Sequence, residues 1–432
     1  MTAAAAGLTN EKRFWLFALS LVCVSLTIAI VFIKSVSVQM SSITFSTQVQ
    51  HVMAGHRLFG RNGALWNNET ESNEDARALN YVGRTFRSIL PSSSPNKTCN
   101  QSSGMAMFTF FTNATAAEEE FSRPLATQRC YARRMNYTHI VVAEDSDATI
   151  RKRCNQHSIF FRKHCAVRMI LKANPQIRWL FVLDGDTGIA NPDHCLEEWI
   201  FDPAVDLQFH ERFFLWEPSA GNYVVKNTKY SHYFLDKWVQ YDQKLPKHRK
   251  FTSFDNGALL TLLMQEVYPD KPEWTKKCER LWHTPGHYYG YVFCVDYYLR
   301  LRPTTKHIRL VKRAHAWVID RHIVDDRWSV YNFMNHGWKR FQTRNGTKWV
   351  LSRVPAGDEC VATVRAAWPL RPNRQWDERR MRRHLAQQEG LRQAILGISL
   401  NADVRQCWPR CEAIDYKPAN AYNPMGGSIN ML

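Results

Sequence analysis

The sequence lacks zinc-finger cysteine and histidine spacing and any arginine-rich repeat, so nucleic acid has only net charge in its favour as a partner. It is short of acid: 39 Asp and Glu stand against 57 Lys and Arg, a formal charge of +18. That excess points to anionic partners, whether nucleic acid, lipid head groups or phosphorylated small molecules. Nor has it the composition of a disordered chain. At 432 residues, 45% of them hydrophobic, it can build one large core or two modest ones.

One uncharged stretch is long. Phe14 to Ile33 is twenty residues without a charge, the length of a helix crossing the hydrocarbon core. Lys12 and Arg13 precede it and Lys34 follows alone. The charge bias predicts a cytosolic tail over 1–13, a signal-anchor over 14–34 and a lumenal remainder. A cleaved signal peptide is the alternative, with Ser35-Val36-Ser37 as its small-residue site.

Six Asn-x-Ser/Thr triplets, at Asn68, Asn96, Asn100, Asn113, Asn136 and Asn345, agree with a body on the secretory side. Outside the apolar run ten cysteines remain, an even number that predicts disulfides in an oxidising compartment without fixing their connectivity. Cys407 and Cys411 form the one close pair, with no second pair to complete a metal cluster.

Residues 35–103 end in a Ser/Pro/Asn-dense tract, Pro91 to Ser103, which builds no core and reads as a lumenal stem, with a helix at Asp75 to Ile89. From Met105 the pattern changes. A strand at Met105–Thr112, a helix at Pro124–Met135, a strand at His139–Glu144, a helix at His157–Ala173 and a strand at Trp179–Leu183 alternate, which predicts an α/β domain with a mostly parallel sheet and helices on its faces. Further on come a short helix from Asn191-Pro192-Asp193 through Trp199, a strand at Gly221–Thr228, helices at Lys229–Tyr241 and Asp255–Glu266, and a long strand or strand pair at His307–Asp320. Arg374–Gly397 reads as a basic amphipathic helix, lying on the domain or on anionic head groups, within an extension over 356–432.

The stretch that organises these elements is Trp179-Leu180-Phe181-Val182-Leu183-Asp184-Gly185-Asp186. Five apolar residues run into two carboxylates, as in a buried strand that ends at a polar edge, where ligands of such sheets gather. If the strand persists to Asp186 the two side chains point to one side. They then suit a divalent cation whose remaining ligands are water and phosphate oxygens. An EF-hand loop is excluded, because Gly188 and Cys195 stand at its fifth and twelfth positions, where ligands belong. A haloacid-dehalogenase nucleophile is disfavoured by Gly188 in the place of its threonine.

Four blocks in order, FVLDGDTGIANPDHCLEEWI, SAGNYVVKNTKYSHYFLDKW, FDNGALLTLL and NHGWK, resemble a nematode-rich family of unknown function related to glycosyltransferase family 34. The likeness covers roughly residues 105–340. It implies a GT-A (Rossmann-like) fold over 104–355, a nucleotide-sugar donor (UDP-linked), a glycan or glycoconjugate acceptor, and Mn2+ or Mg2+ as the metal. It further implies metal and donor ligands at Asp184 and Asp186, a metal ligand at His336, and a donor-diphosphate contact at Lys339. Asp255 and Asn256 take the place of an Asp-Gln pair near the transferred sugar. Gly221 and Asn222 fall where the sugar and acceptor pocket is lined. The expectation is a single-pass type II Golgi glycosyltransferase working with retention. A non-catalytic lumenal module derived from a transferase is the competing class, and a phosphatase-like hydrolase a third.

Overall fold

The computed structural model describes residues 104–396 apart from 214–215, 303–304, 340–348 and 362–366, together with 404, 408 and 409. All belong to one unit, Glu71–Leu432. The expected tail, anchor and stem, and four of the six sequons, lie outside the described residues. Among the described residues no helix is long and apolar enough to cross a membrane.

The alternation read from the sequence is there. β1 (Met105–Phe111), α1 (Ala114–Glu119), α2 (Ser122–Met135), β2 (Thr138–Ala143), α3 (Ala148–Arg153), α4 (Ile159–Ala173) and β3 (Trp179–Leu183) follow in order. β1 pairs in parallel with both β2 and β3. All the residues of β1 and β3 are buried, as continuous apolar runs of a sheet covered on both faces should be. Beyond β3 the sheet departs from expectation. β6 (Tyr223–Lys226) runs antiparallel to β3 and to β5 (Leu207–His210), and β7 (Ile308–Val311) returns parallel to β5. The six-stranded sheet, ordered β2-β1-β3-β6-β5-β7, is therefore parallel-rich but mixed.

A second, three-stranded sheet was not foreseen. β4 (Thr187–Ile189), β9 (Met334–His336) and β8 (Val318–Asp320) lie in that order, with β4 antiparallel to β9 and β9 parallel to β8. Of the long strand or strand pair expected over His307–Asp320, the structure has two strands, and they lie in different sheets. The helix expected from Asn191 is confined to a 3-10 turn, Leu196–Trp199, because the Asn191 side chain accepts from the amide of Asp193 and makes a turn instead.

One face of the large sheet packs on α4, α5 (Lys229–Gln240), α6 (Phe254–Val267), α7 (Pro272–His283) and α8 (Tyr288–Leu301). A second cluster joins the other face to α2 and the small sheet through Phe181, Trp317, Met334 and Trp338. Disulfides join Cys130 to Cys360, Cys154 to Cys165 and Cys278 to Cys294.

The C-terminal helix α9 (Glu378–Leu396) is part of the same unit. Met381 and Leu385 pack with Ile319, Ile323 and Val324, next to strand β8. Glu389, fully buried, pairs with the equally buried Arg313 at 2.9 Å. Among the described residues these contacts cross the expected boundary at 355/356.

Candidate functional site

The two aspartates sit at the carboxyl end of β3, but the strand stops at Leu183 and a turn follows, closed by the Thr187 amide donating to the Asp184 carbonyl at 2.9 Å. The turn, not strand alternation, brings the carboxylates together. Its far limb is β4, whose Thr187 is in register with His336 of β9. The Gly337 and Trp338 amides both donate to the Asp186 carbonyl, at 3.1 and 2.8 Å, and fasten the second limb to the turn.

In consequence His336 Nε2 lies 3.1 Å from Asp186 Oδ1 and 3.5 Å from Asp184 Oδ2. One ligand atom from each residue lies within 4.8 Å of the others. Two carboxylate oxygens and one imidazole nitrogen, converging on one point, form a donor set that manganese accepts, and that magnesium accepts less well because it prefers oxygen. Burial would raise the Asp186 carboxyl, but His336 outweighs it and holds it below the usual carboxylate range. Burial would lower His336, but Asp186 and Asp184 push its ring well above the ordinary histidine value.

Two glycines make room. A Cβ on Gly221 would lie 1.9 Å from Asp184 Oδ2, and one on Gly188 would lie 2.1 Å from the Trp338 ring. Gly221 thus permits the Asp184 carboxylate to lie against the backbone. Asn222 is only 1% exposed. Its Oδ1 accepts from the Asp184 amide and from Thr187 Oγ1, at 3.2 and 2.8 Å, and so holds the turn from below.

Asp255 and Asn256 open α6 on the other side of Asp184. Asp255 is buried and accepts from His164, whose Nε2 is 3.1 Å from Oδ2. His164 takes the Tyr223 hydroxyl at Nδ1, 3.0 Å away, and stacks on Trp238 at 3.7 Å. Burial holds this ring neutral, down at about 4. The Asn256 Oδ1 accepts from the Ala220 amide at 2.6 Å and its Nδ2 donates to the Glu217 side chain at 3.3 Å. Lys339 adds positive potential at Asp186.

Four residues of this neighbourhood were missed. Lys163 of α4, 5% exposed, reaches Asp184 Oδ1 at 3.0 Å and Asp255 Oδ2 at 3.8 Å. Burial would lower its ammonium, but Asp184 and Asp255 hold it above the ordinary lysine value. Lys163, Val167 and Ile170 follow i, i+4, i+7 spacing, so the sequence does place this lysine on the buried stripe. Glu217, Asp320 and Arg212 carried no such signal. Glu217 accepts from Tyr288 at 2.6 Å and Ser253 at 3.3 Å, and burial raises its carboxyl to about 7. Asp320 accepts from His336 Nδ1 at 2.7 Å, and the Arg212 fork grips it at 3.1 and 3.3 Å.

The family described as "Protein of unknown function, DUF273" matches residues 128–352, more than half of the chain. The chain belongs to that family. The matched region of this DUF273 protein contains every site residue named so far. A relative, "Probable alpha-1,6-mannosyltransferase MNN10" of Saccharomyces cerevisiae, is 26% identical over 174 residues. The match takes in 33% of the DUF273 chain and 42% of the yeast protein, so it spans less than half of that relative's length. Among solved structures, one described as "crystal structure of a glycosyltransferase involved in the glycosylation of the major capsid of PBCV-1" matches with a TM-score of 0.32 at 10% identity, over 54% of this chain and 92% of the other.

Proposed function

We propose that the chain is a metal-dependent glycosyltransferase of the GT-A type, moving a hexose or pentose from a nucleotide sugar, UDP-linked, to a glycan or glycoconjugate acceptor. The observation that carries this reading is the convergence of Asp184, Asp186 and His336 at the carboxyl end of a parallel-rich sheet. The name of the yeast relative supports hexosyl transfer.

Asp184, Asp186 and His336 would hold Mn2+ or Mg2+, and such an ion, when bound, supplies Lewis-acid charge for a departing nucleoside diphosphate. Lys339 adds a second positive charge on that side. Lys163 neutralises Asp184 and Asp255, which would otherwise repel each other and the donor phosphates. Asp255, fixed by His164, keeps a carboxylate close to the ion site, where it can orient a sugar hydroxyl or stabilise an oxocarbenium-like centre. Retention of configuration is part of the proposal by resemblance alone. The uncharged run at 14–33, the sequons and the disulfides support a type II Golgi membrane setting, with the enzyme on the lumenal side.

The test is release of UDP or GDP from a panel of nucleotide sugars by the purified full chain with Mn2+. Release that Asp186→Ala abolishes supports the reading. A wild-type chain that neither binds nor cleaves any donor refutes it.

A further inference from the structure

The structure assigns Asp320 as a positioning residue that aims the His336 ring at the proposed metal site; this inference rests on the metal-dependent reading above. β8 and β9 pair in parallel with Asp320 in register with His336, so the carboxylate stands beside the imidazole by the geometry of the sheet. Asp320 Oδ1 is 2.7 Å from Nδ1, on the side of the ring away from Asp184 and Asp186. The Arg321 amide donates to the His336 carbonyl at 2.9 Å and locks the same pair through the backbone.

An ionised carboxylate can only accept, so Nδ1 carries the proton in this contact. In a neutral ring the lone pair then lies on Nε2, the nitrogen that faces Asp184 and Asp186. The Arg212 guanidinium, 3.1 Å from Asp320 Oδ1, is the partner of an ionised carboxylate. Arg212 fixes its rotamer with a two-pronged contact and reaches Glu217 with its other nitrogen at 3.6 Å. With Oδ1 committed to His336 and both oxygens to Arg212, Asp320 lies outside the group of ligand atoms that converge. Its effect on the site passes through the imidazole. Outer partners of this kind fix the tautomer and raise the basicity of a metal-bound histidine, and losing one costs about 10- to 100-fold in metal affinity.

The experiment measures Mn2+ affinity of the full chain by electron paramagnetic resonance of free Mn2+, for wild type, Asp320→Asn and Asp320→Ala. The thermal midpoint of each is read separately in EDTA. The expected result is a Kd raised about 10- to 100-fold in Asp320→Ala. In Asp320→Asn, whose amide oxygen still accepts from Nδ1, the loss should be smaller, and neither loss should follow the thermal midpoint. A folded Asp320→Ala that binds Mn2+ like wild type overturns the inference and leaves the metal reading intact. A wild-type chain that takes up no Mn2+ overturns both. Should Asp320→Ala fail to fold, nitrogen-15 spectra of histidine-labelled wild type with Mg2+ decide, the His336 signal being identified by its absence from His336→Gln. A proton on Nδ1 supports the inference, and a proton on Nε2 overturns it.

Discussion

Thr187 and His336 face each other across an antiparallel ladder of three-residue strands, and this pairing carries an imidazole from far along the chain to the aspartates that follow β3. The ladder is short, so the side chains around it decide how well the site holds its shape.

Replacing Asp186 should remove the function and spare the fold. Asp186→Asn is expected to lower metal-dependent release of nucleoside diphosphate by about 100-fold or more, the usual scale for losing one main electrostatic contributor. The thermal midpoint in EDTA should hold or fall only slightly, since the contact with His336 is weakened while repulsion between the two adjacent carboxylates is relieved. Loss of activity and stability together would point to a structural aspartate.

Gly221→Ala should strike the site through sterics alone. The added carbon would lie 1.9 Å from Asp184 Oδ2, so carboxylate or backbone must move. The expectation is a weaker Mn2+ Kd and about 1–3 kcal/mol of lost stability, read by titration and by denaturant unfolding. Wild-type affinity in this variant would show that Asp184 is not needed where it stands.

Lys163→Met should destabilise the protein. It keeps the stem of the side chain but removes the cation between Asp184 and the buried Asp255, at a cost of about 3 kcal/mol in urea unfolding. The companion Lys163→Arg keeps charge but not shape, and should recover part of the stability and little of the activity.

Glu217 gives a dependence on pH. Its carboxyl is raised from 4.5 to about 7, so between those values the folded chain binds more protons than the unfolded chain and this residue's contribution falls as pH rises. Glu217→Gln does not titrate. Its stability relative to wild type should improve from pH 5 to pH 8, with an upper bound of about 3 kcal/mol, as read from unfolding curves at both pH values. A difference that stays flat or declines would mean that Glu217 is ionised in the fold.

The C-terminal helix should be needed for folding. Glu389→Ala removes one of the two carboxylates on the buried Arg313 guanidinium, the other being Glu211 at 2.7 Å, and is expected to cost about 1.5–3 kcal/mol, with Glu389→Gln milder because it still accepts. An unfolding curve that matches wild type for Glu389→Ala would refute that dependence.

The strands that carry the site were legible because their physics is local. Trp179–Leu183 is a short apolar run of the kind a doubly covered strand uses, and the structure gives it those bounds. Asp184 and Asp186 followed from it. His336 did not: a histidine among sixteen has no local mark, and it was picked out by resemblance. The small sheet was missed because three-residue strands such as Thr187–Ile189 and Met334–His336 are too short to show alternation. Asp320 was hidden for the same reason. The antiparallel turn of β6 against β3 was hidden too, since an apolar strand reads the same in either direction. Asn222 and Asn256 were placed near the site, and their amides bond to neighbouring backbone and side chains, a choice that only the neighbouring chain dictates.

The three-residue ladder between β4 and β9 has an effect on how this site can fail. Side chains on a strand alternate between faces, so a slip of one residue would present Asn335 or Gly337 to Asp186 in place of His336 and would also separate His336 from Asp320. An inserted or deleted residue anywhere in β9 therefore acts as a substitution of the histidine without touching it. The main-chain bonds from Gly337 and Trp338 to Asp186 are the clamps that forbid that slip.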